Sequence, residues 1–165
     1  MHLKIQEHPP GPRLVNLLKS TPPRTEDVAK QWFSILASRV TGMLQSLSSP
    51  HYVETNWRTA FSTTELKALA QTPIIPVKGA NGAIRHLPPV QCYFKGDSKA
   101  QFHSKLFTFV DFGTTANTFL SACGVKHEPS VEEIAKILLD NPRQFYALAE
   151  GREKYVQGIP RVRWY

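Results

Sequence analysis

The sequence predicts an α+β fold: an N-terminal amphipathic helix, then a small and mostly antiparallel sheet with an edge hairpin, then three short C-terminal helices. Three observations carry this. Apolar residues recur at steps of three and four between Val28 and Leu47. The section from Pro73 to Phe112 is rich in β-branched and aromatic residues broken by turn formers, and the last third is punctuated by helix caps.

Residues 1–24 carry Pro9, Pro10, Pro12, Pro22 and Pro23 around Leu14, Val15, Leu17 and Leu18, an island too brief to bury itself, and read as a loosely ordered proline-rich arm. A helix opens at Arg24 or Thr25. Its apolar face is drawn by Val28, Trp32, Leu36, Val40, Met43, Leu44 and Leu47, and Glu26 and Asp27 suit the positive end of the helix dipole. Ser48-Ser49-Pro50 ends it. Ser62 with Glu65 forms a capping box, in which each side chain satisfies an unpaired backbone N–H at a helix start, and predicts a short helix from Thr63 to Ala70.

Pro73-Ile74-Ile75-Pro76-Val77 is extended, but its prolines cannot donate to a central ladder, so it is an edge strand. Lys78-Gly79-Ala80-Asn81-Gly82 reverses the chain, and Ala83 to Leu87 returns as the hairpin partner. Val90 to Phe94 and Leu106 to Phe112 are further strand candidates, separated by a polar turn from Lys95 to Lys99. Ala116, Phe119, Leu120 and Cys123 then share a helical face, with Gly124 as a left-handed cap and Val125 closing over it. A second capping box, Ser130 with Glu133, precedes Val131, Ile134 and Leu138, and Asn141-Pro142 ends that helix and starts the last one.

A chain of 165 residues, 41% hydrophobic, supplies apolar material for one core, and a single α+β domain or domain fragment is expected over 25–157, with an irregular tail at 158–165. The net charge of +7 invites a phosphate-binding reading, but the excess is spread. Residues 1–60 hold 7 basic and 4 acidic side chains, residues 61–126 hold 7 and 3, and residues 127–165 hold 6 and 6, so no basic stripe forms. Cys92 and Cys123 lie far apart, and the start of the sequence has no apolar core of the secretory kind. Free thiols in an intracellular compartment, cytoplasm or nucleus, are therefore expected, with no membrane partner.

Few side chains point to chemistry. Asp111-Phe112-Gly113 copies the letters of a kinase metal-binding tripeptide, but the glycine-rich loop, strand lysine and catalytic loop that give it meaning are missing from the sequence. It reads as a strand end followed by a glycine turn. Cys92, His103, Cys123 and His127 are metal-ligand types, but they lack short paired spacing in both halves, and Cys123 reads instead as a small apolar residue with His127 in a loop. A cysteine enzyme would need Cys92 as thiolate, His103 or His86 as base and Asp111 as orienter, and Cys92 sits in an apolar strand. A single-stranded nucleic-acid site would draw on Arg152, Lys154, Arg161 and Arg163 for phosphates, with Tyr155, Trp164 and Tyr165 for stacking on bases. Glu150 and Glu153 among them favour a solvated mixed-charge face. No catalytic, cofactor-binding or metal-binding residue is expected.

Pro73-Ile-Ile-Pro-Val-Lys78, Leu87-Pro-Pro-Val-Gln-Cys-Tyr-Phe94, Lys105-Leu-Phe-Thr-Phe-Val-Asp-Phe-Gly113 and Phe119-Leu-Ser-Ala-Cys-Gly-Val-Lys-His-Glu-Pro-Ser-Val-Glu-Glu-Ile134 together resemble part of a family of very long fungal proteins of unknown function. These are similar to the plant NO VEIN and animal sacsin group, in which a GHKL-type ATPase module precedes an extended α+β region. The resemblance spans about Leu14 to Tyr155. It implies an internal piece downstream of the ATPase, with the nucleotide-binding motifs having no counterpart here, so ATP binding transfers to no residue. It also implies a scaffold or substrate-facing role in a chaperone-like machine, with a protein or the rest of a longer parent chain as partner. The ending from Gly158 to Tyr165 departs from the family pattern and suggests a truncated product. The sequence thus favours a non-catalytic structural and protein-interaction segment. The alternatives are the nucleic-acid module and, after it, the cysteine enzyme.

Overall fold

A computed structural model of the chain describes residues 9–45, 60–79, 81–96 and 103–148, and at 41–45, 103, 104, 144, 145 and 148 it describes the backbone. Within these residues the fold is α+β, with helices first, short strands in the middle and helices last. The chain divides into two compact units that interleave along the sequence: Met1–Gln91 with Asp111–Val125, and Cys92–Val110 with Lys126–Tyr165.

The first unit begins with helix α1, Gly11–Ser20, followed by α2, Glu26–Gln45, and α3, Thr63–Ala70. The segment read as a loose arm therefore holds a ten-residue helix from Gly11 onward, with Pro12 in the first turn, where a missing N–H costs nothing. Its apolar island does find cover: Val15 and Leu18 are buried, and the Arg39 guanidinium donates from Nη1 to the Pro9 carbonyl at 2.7 Å. A local count could not reveal this, because the covering surface comes from other helices such as α3, against which α1 packs.

Helix α2 forms where its periodicity predicts, but its buried stripe is turned by about one residue from the expected face. Ala29, Phe33, Leu36, Ala37 and Val40 are buried, while Val28 is exposed and Trp32 half-buried. The reason is its partner, α5, Thr114–Ala122, which packs along it. Phe33 stacks on Phe119 with ring centroids 5.6 Å apart and meets Phe112 edge-on at 5.4 Å, and Phe61 contacts Phe119 from another side at 5.8 Å. Small Ala29 and Ala37 leave room for that approach, so the helix turns its alanines inward and leaves Val28 in solvent. Full burial of each such phenylalanine contributes about 1.5–3 kcal/mol relative to exposure.

Strands β1, Ile75–Lys78, and β2, Ile84–Leu87, form the predicted antiparallel hairpin, with Ile75 opposite Leu87 and Lys78 opposite Ile84. Gly79 N–H donates to Ala83 O at 2.8 Å and Gly82 N–H to Gly79 O at 2.9 Å, while the Asn81 side-chain oxygen accepts from Ala83 N–H. Starting from the Gly79–Ala83 bond, the antiparallel alternation puts Pro76 opposite His86 in a pair whose backbone groups face outward. The N–H that proline lacks is one the hairpin does not use. A 3₁₀ turn at Pro89–Gln91 ends this part of the chain.

The second unit contains β3, Cys92–Phe94, α4, His103–Leu106, and β4, Thr108–Val110. Among the described residues the antiparallel pairing is confined to the hairpin, since β3 and β4 pair in parallel, Tyr93 opposite Phe109. A tight turn cannot join parallel strands, and here the connection carries α4 and brings the chain back in the same direction. Lys126 adds a single bridge on β3, its carbonyl accepting from Phe94 N–H at 2.8 Å. Helix α6, Val131–Asp140, and α7, Pro142–Leu148, complete the unit. Ile134 is buried on α6, with Leu106, Phe107, Ile137 and Leu138 packed against it. No helix among the described residues is long and apolar enough to cross a membrane.

Candidate functional site

The densest polar arrangement among the described residues lies in the second unit, where α6 starts. The capping box read from sequence is present: Ser130 Oγ accepts from Glu133 N–H at 3.2 Å, and Glu133 Oε2 accepts from Ser130 N–H at 2.7 Å. The same carboxylate does more than cap. Lys126 Nζ donates to Glu133 Oε1 at 2.7 Å, and the Tyr93 hydroxyl also hydrogen-bonds to it. A loop lysine, a strand tyrosine and a helix cap thus meet on one carboxylate.

The electrostatics follow. The Lys126 ammonium and then the Ser130 N–H hold the Glu133 carboxyl down at about 2; burial opposes them, and the Tyr93 hydroxyl adds a smaller lowering effect. Burial, then the hydrogen bond to Glu133 and its charge, push the Tyr93 hydroxyl up to about 12. Near neutral pH neither group changes its charge state. Glu133 stays ionised with both oxygens occupied, and Tyr93 stays neutral between the rings of Phe107 and Phe109, 5.2 and 5.9 Å away. A general acid or base needs a pKa near the working pH, and this pair is driven away from it on both sides. The arrangement fixes the start of α6 to β3.

Asp111 serves backbone geometry in the same way. Its Oδ1 accepts from Gly113 N–H at 2.9 Å and from Asn117 Nδ2 at 3.1 Å, and Asn117 Oδ1 in turn accepts from Phe112 N–H. Gly113 has φ 86° and ψ 159°, a conformation that disfavours any residue with a Cβ. The tripeptide read as a strand end and turn is that, with β4 stopping at Val110 and α5 starting at Thr114.

Of the other residues singled out, Cys92 and Cys123 both lie outside any disulfide and are fully buried. Burial pushes the Cys123 thiol up to about 12, so it packs as an apolar residue on the α5 cap. Gly124, at φ 97°, gives that cap its left-handed turn, and Val125 N–H reaches Leu120 O at 3.0 Å with its side chain buried. His127 is exposed, its ring 5.2 Å from that of Phe94. His86 Nε2 lies 2.8 Å from the Pro23 carbonyl and therefore donates to it, pinning the α1–α2 linker to β2. The His103 side chain and the whole nucleic-acid set, Arg152, Lys154, Tyr155, Arg161, Arg163, Trp164 and Tyr165, lie outside the described residues. Among the described residues, no group of three or more His, Cys, Asp or Glu side chains could hold a metal ion.

Sequence reasoning found the capping box and missed its extra partners. Lys126 stands seven positions before Glu133, in the loop ahead of α6, a spacing with no local periodicity behind it. Tyr93 has no sequence signal at all beyond being the polar-tipped member of an aromatic strand.

The model of a family described as protein of unknown function (DUF3684) matches residues 1–162, and the chain belongs to that family. No curated protein and no solved structure matches it.

Proposed function

We propose that this chain is a non-catalytic structural and protein-contacting segment of a larger, chaperone-like protein carrying a GHKL-type ATPase module elsewhere in its length. One observation supports the first half of this reading: among the described residues, the carboxylates and hydroxyls at helix starts and turns are used to fix backbone. Glu133, Asp111, Ser62, Ser130 and Glu65 are bonded to backbone N–H groups at helix starts and turns, and both thiols are buried. The resemblance of residues 73–134 to the large fungal proteins of the NO VEIN and sacsin kind supports the second half, and an intracellular site of action goes with it.

Reactivity of the thiols tests the reading directly. With a chromogenic disulfide reagent at neutral pH, both cysteines are expected to react slowly, at the rate set by opening of the fold, and to react fast only in denaturant. A rapid native-state reaction at Cys92 would return the cysteine-enzyme alternative. Hydrogen exchange and size-exclusion chromatography on the isolated chain test the fragment half: a sharply monomeric chain, fully protected throughout residues 1–24, argues against it.

A further inference from the structure

We infer that the groove between the start of α2 and the turn end of the hairpin is a docking site for an extended peptide segment carrying an apolar residue flanked by one acidic and one basic residue. The inference rests on the protein-contact reading above and gives it a location. The groove measures about 410 Å³ and is lined by Thr25, Glu26, Pro76, Lys78, Gly82 and Ile84. That volume falls within the ~300–1,000 Å³ typical of binding clefts.

The walls are built by local rules already described. Side chains alternate across a strand, and the register sets Pro76 opposite His86 and Lys78 opposite Ile84, so these four share one face of the hairpin. His86 anchors that face to Pro23, and Thr25 caps α2 by accepting from Val28 N–H at 3.3 Å. Both sides of the groove are thus held before any partner arrives, which lowers the ordering cost of binding. Gly82 adds no bulk, and nothing lies within 4 Å of where its Cβ would be. Ile84 is 48% exposed over buried Pro76, an apolar floor left partly open.

The charges choose the occupant. Glu26 and Lys78 are both exposed and both line the groove, yet among the described residues no ion pair joins them. The Thr25 hydroxyl is already engaged by the helix. An apolar ligand alone would leave both charges unused, and a purely acidic or purely basic one would meet repulsion from Glu26 or Lys78. A short extended segment with an apolar side chain over Ile84 and a charge of each sign beside it satisfies all three surfaces.

Selecting a random-peptide display library on the intact chain tests this, with the recovered peptides titrated calorimetrically against the wild type, Lys78→Glu and Ile84→Asp. These positions are exposed, and circular dichroism checks that each variant folds. The expected peptides combine an apolar residue with one acidic and one basic neighbour. Lys78→Glu weakens them about threefold to fivefold, the ordinary range for an exposed ion pair, and exchanging the peptide's acidic residue for lysine restores the loss. Ile84→Asp abolishes detectable binding. Recovered peptides that bind both variants as tightly as the wild type would overturn the groove and leave the protein-contact reading intact. Recovery of no specific peptide would count against both.

Discussion

The two units are stabilised by different means. In the first, four phenylalanines, Phe33, Phe61, Phe112 and Phe119, are buried in one continuous ring cluster, and Leu69, Ile74, Ile75 and Leu120 are fully buried in the same unit. In the second, only Ile134 is buried on α6, its apolar neighbours are half-covered, and a carboxylate gripped by Tyr93, Lys126 and Ser130 fixes the helix to the strand. Apolar burial is non-directional and scales with area, whereas a hydrogen-bonded hub is geometrically exact and sensitive to charge. The first unit therefore rests more on packed volume, and the start of α6 in the second rests more on charge.

Several measurements would break or sharpen that contrast. Phe119→Ala should cost about 3–5 kcal/mol in urea-induced unfolding, as for other large-to-small core changes. Ile134→Ala is expected to cost less, and an equal loss would erase the difference between the units. Gly113→Ala forces a Cβ into a conformation kept for glycine and is expected to cost about 1–3 kcal/mol, with α5 the element most exposed to hydrogen exchange. Glu133→Gln removes the hub's charge, with an expected loss of about 1 kcal/mol, since Glu133 and Lys126 are both partly exposed and solvent screens them.

The pH signature of Glu133→Gln is more telling than its size. Glu133 falls from an ordinary 4.5 to about 2 on folding, so the stability it adds is present above 4.5 and drains away as pH drops toward 2. Acid titration of the wild type should show that loss in the second unit, and Glu133→Gln should flatten it. Tyr93 works in the other direction. Raised from 10.0 to about 12, it contributes fully below 10 and loses its contribution as pH climbs to 12. Near-ultraviolet absorbance of the ionised phenol should show a late-titrating component that Tyr93→Phe removes. The caps are expected to give losses of the same small order: Ser62→Ala and Ser130→Ala should each cost about 1 kcal/mol by thermal unfolding. The Ser130 variant should lose more, because its box also carries the hub.

What sequence could foresee follows from how far each determinant reaches. Ser62–Glu65, Ser130–Glu133, Gly113 and the Gly124 cap are settled within a few residues of themselves, and each was legible as a string of letters. The hairpin was equally local, down to its outward-facing proline. Longer-range determinants were not. The α2 stripe turned toward Ala29 and Ala37 because Phe119, far along the chain, needs the space, and a periodicity count that ranks alanine low cannot register that. Helix α1 was undervalued for a similar reason, its cover being non-local. The parallel β3–β4 pair was hidden because α4, which makes it feasible, is only four residues long. Of the functional candidates, Cys123 and Asp111 were assigned correctly from their neighbours. The Tyr93–Glu133–Lys126 hub needed three separate segments to meet, and the groove needed the α2 cap and the hairpin turn to face one another.

Interleaving of the two units along the chain carries a consequence for birth on the ribosome. Helix α2 emerges early, but α5, which covers Phe33, is synthesised only after the hairpin and the first strands of the other unit. At ~5–20 residues per second, Phe33 waits several seconds for Phe119. During that interval a sticky aromatic stripe is left without its partner, so a nascent polypeptide of this design gains from temporary shielding until α5 has been made.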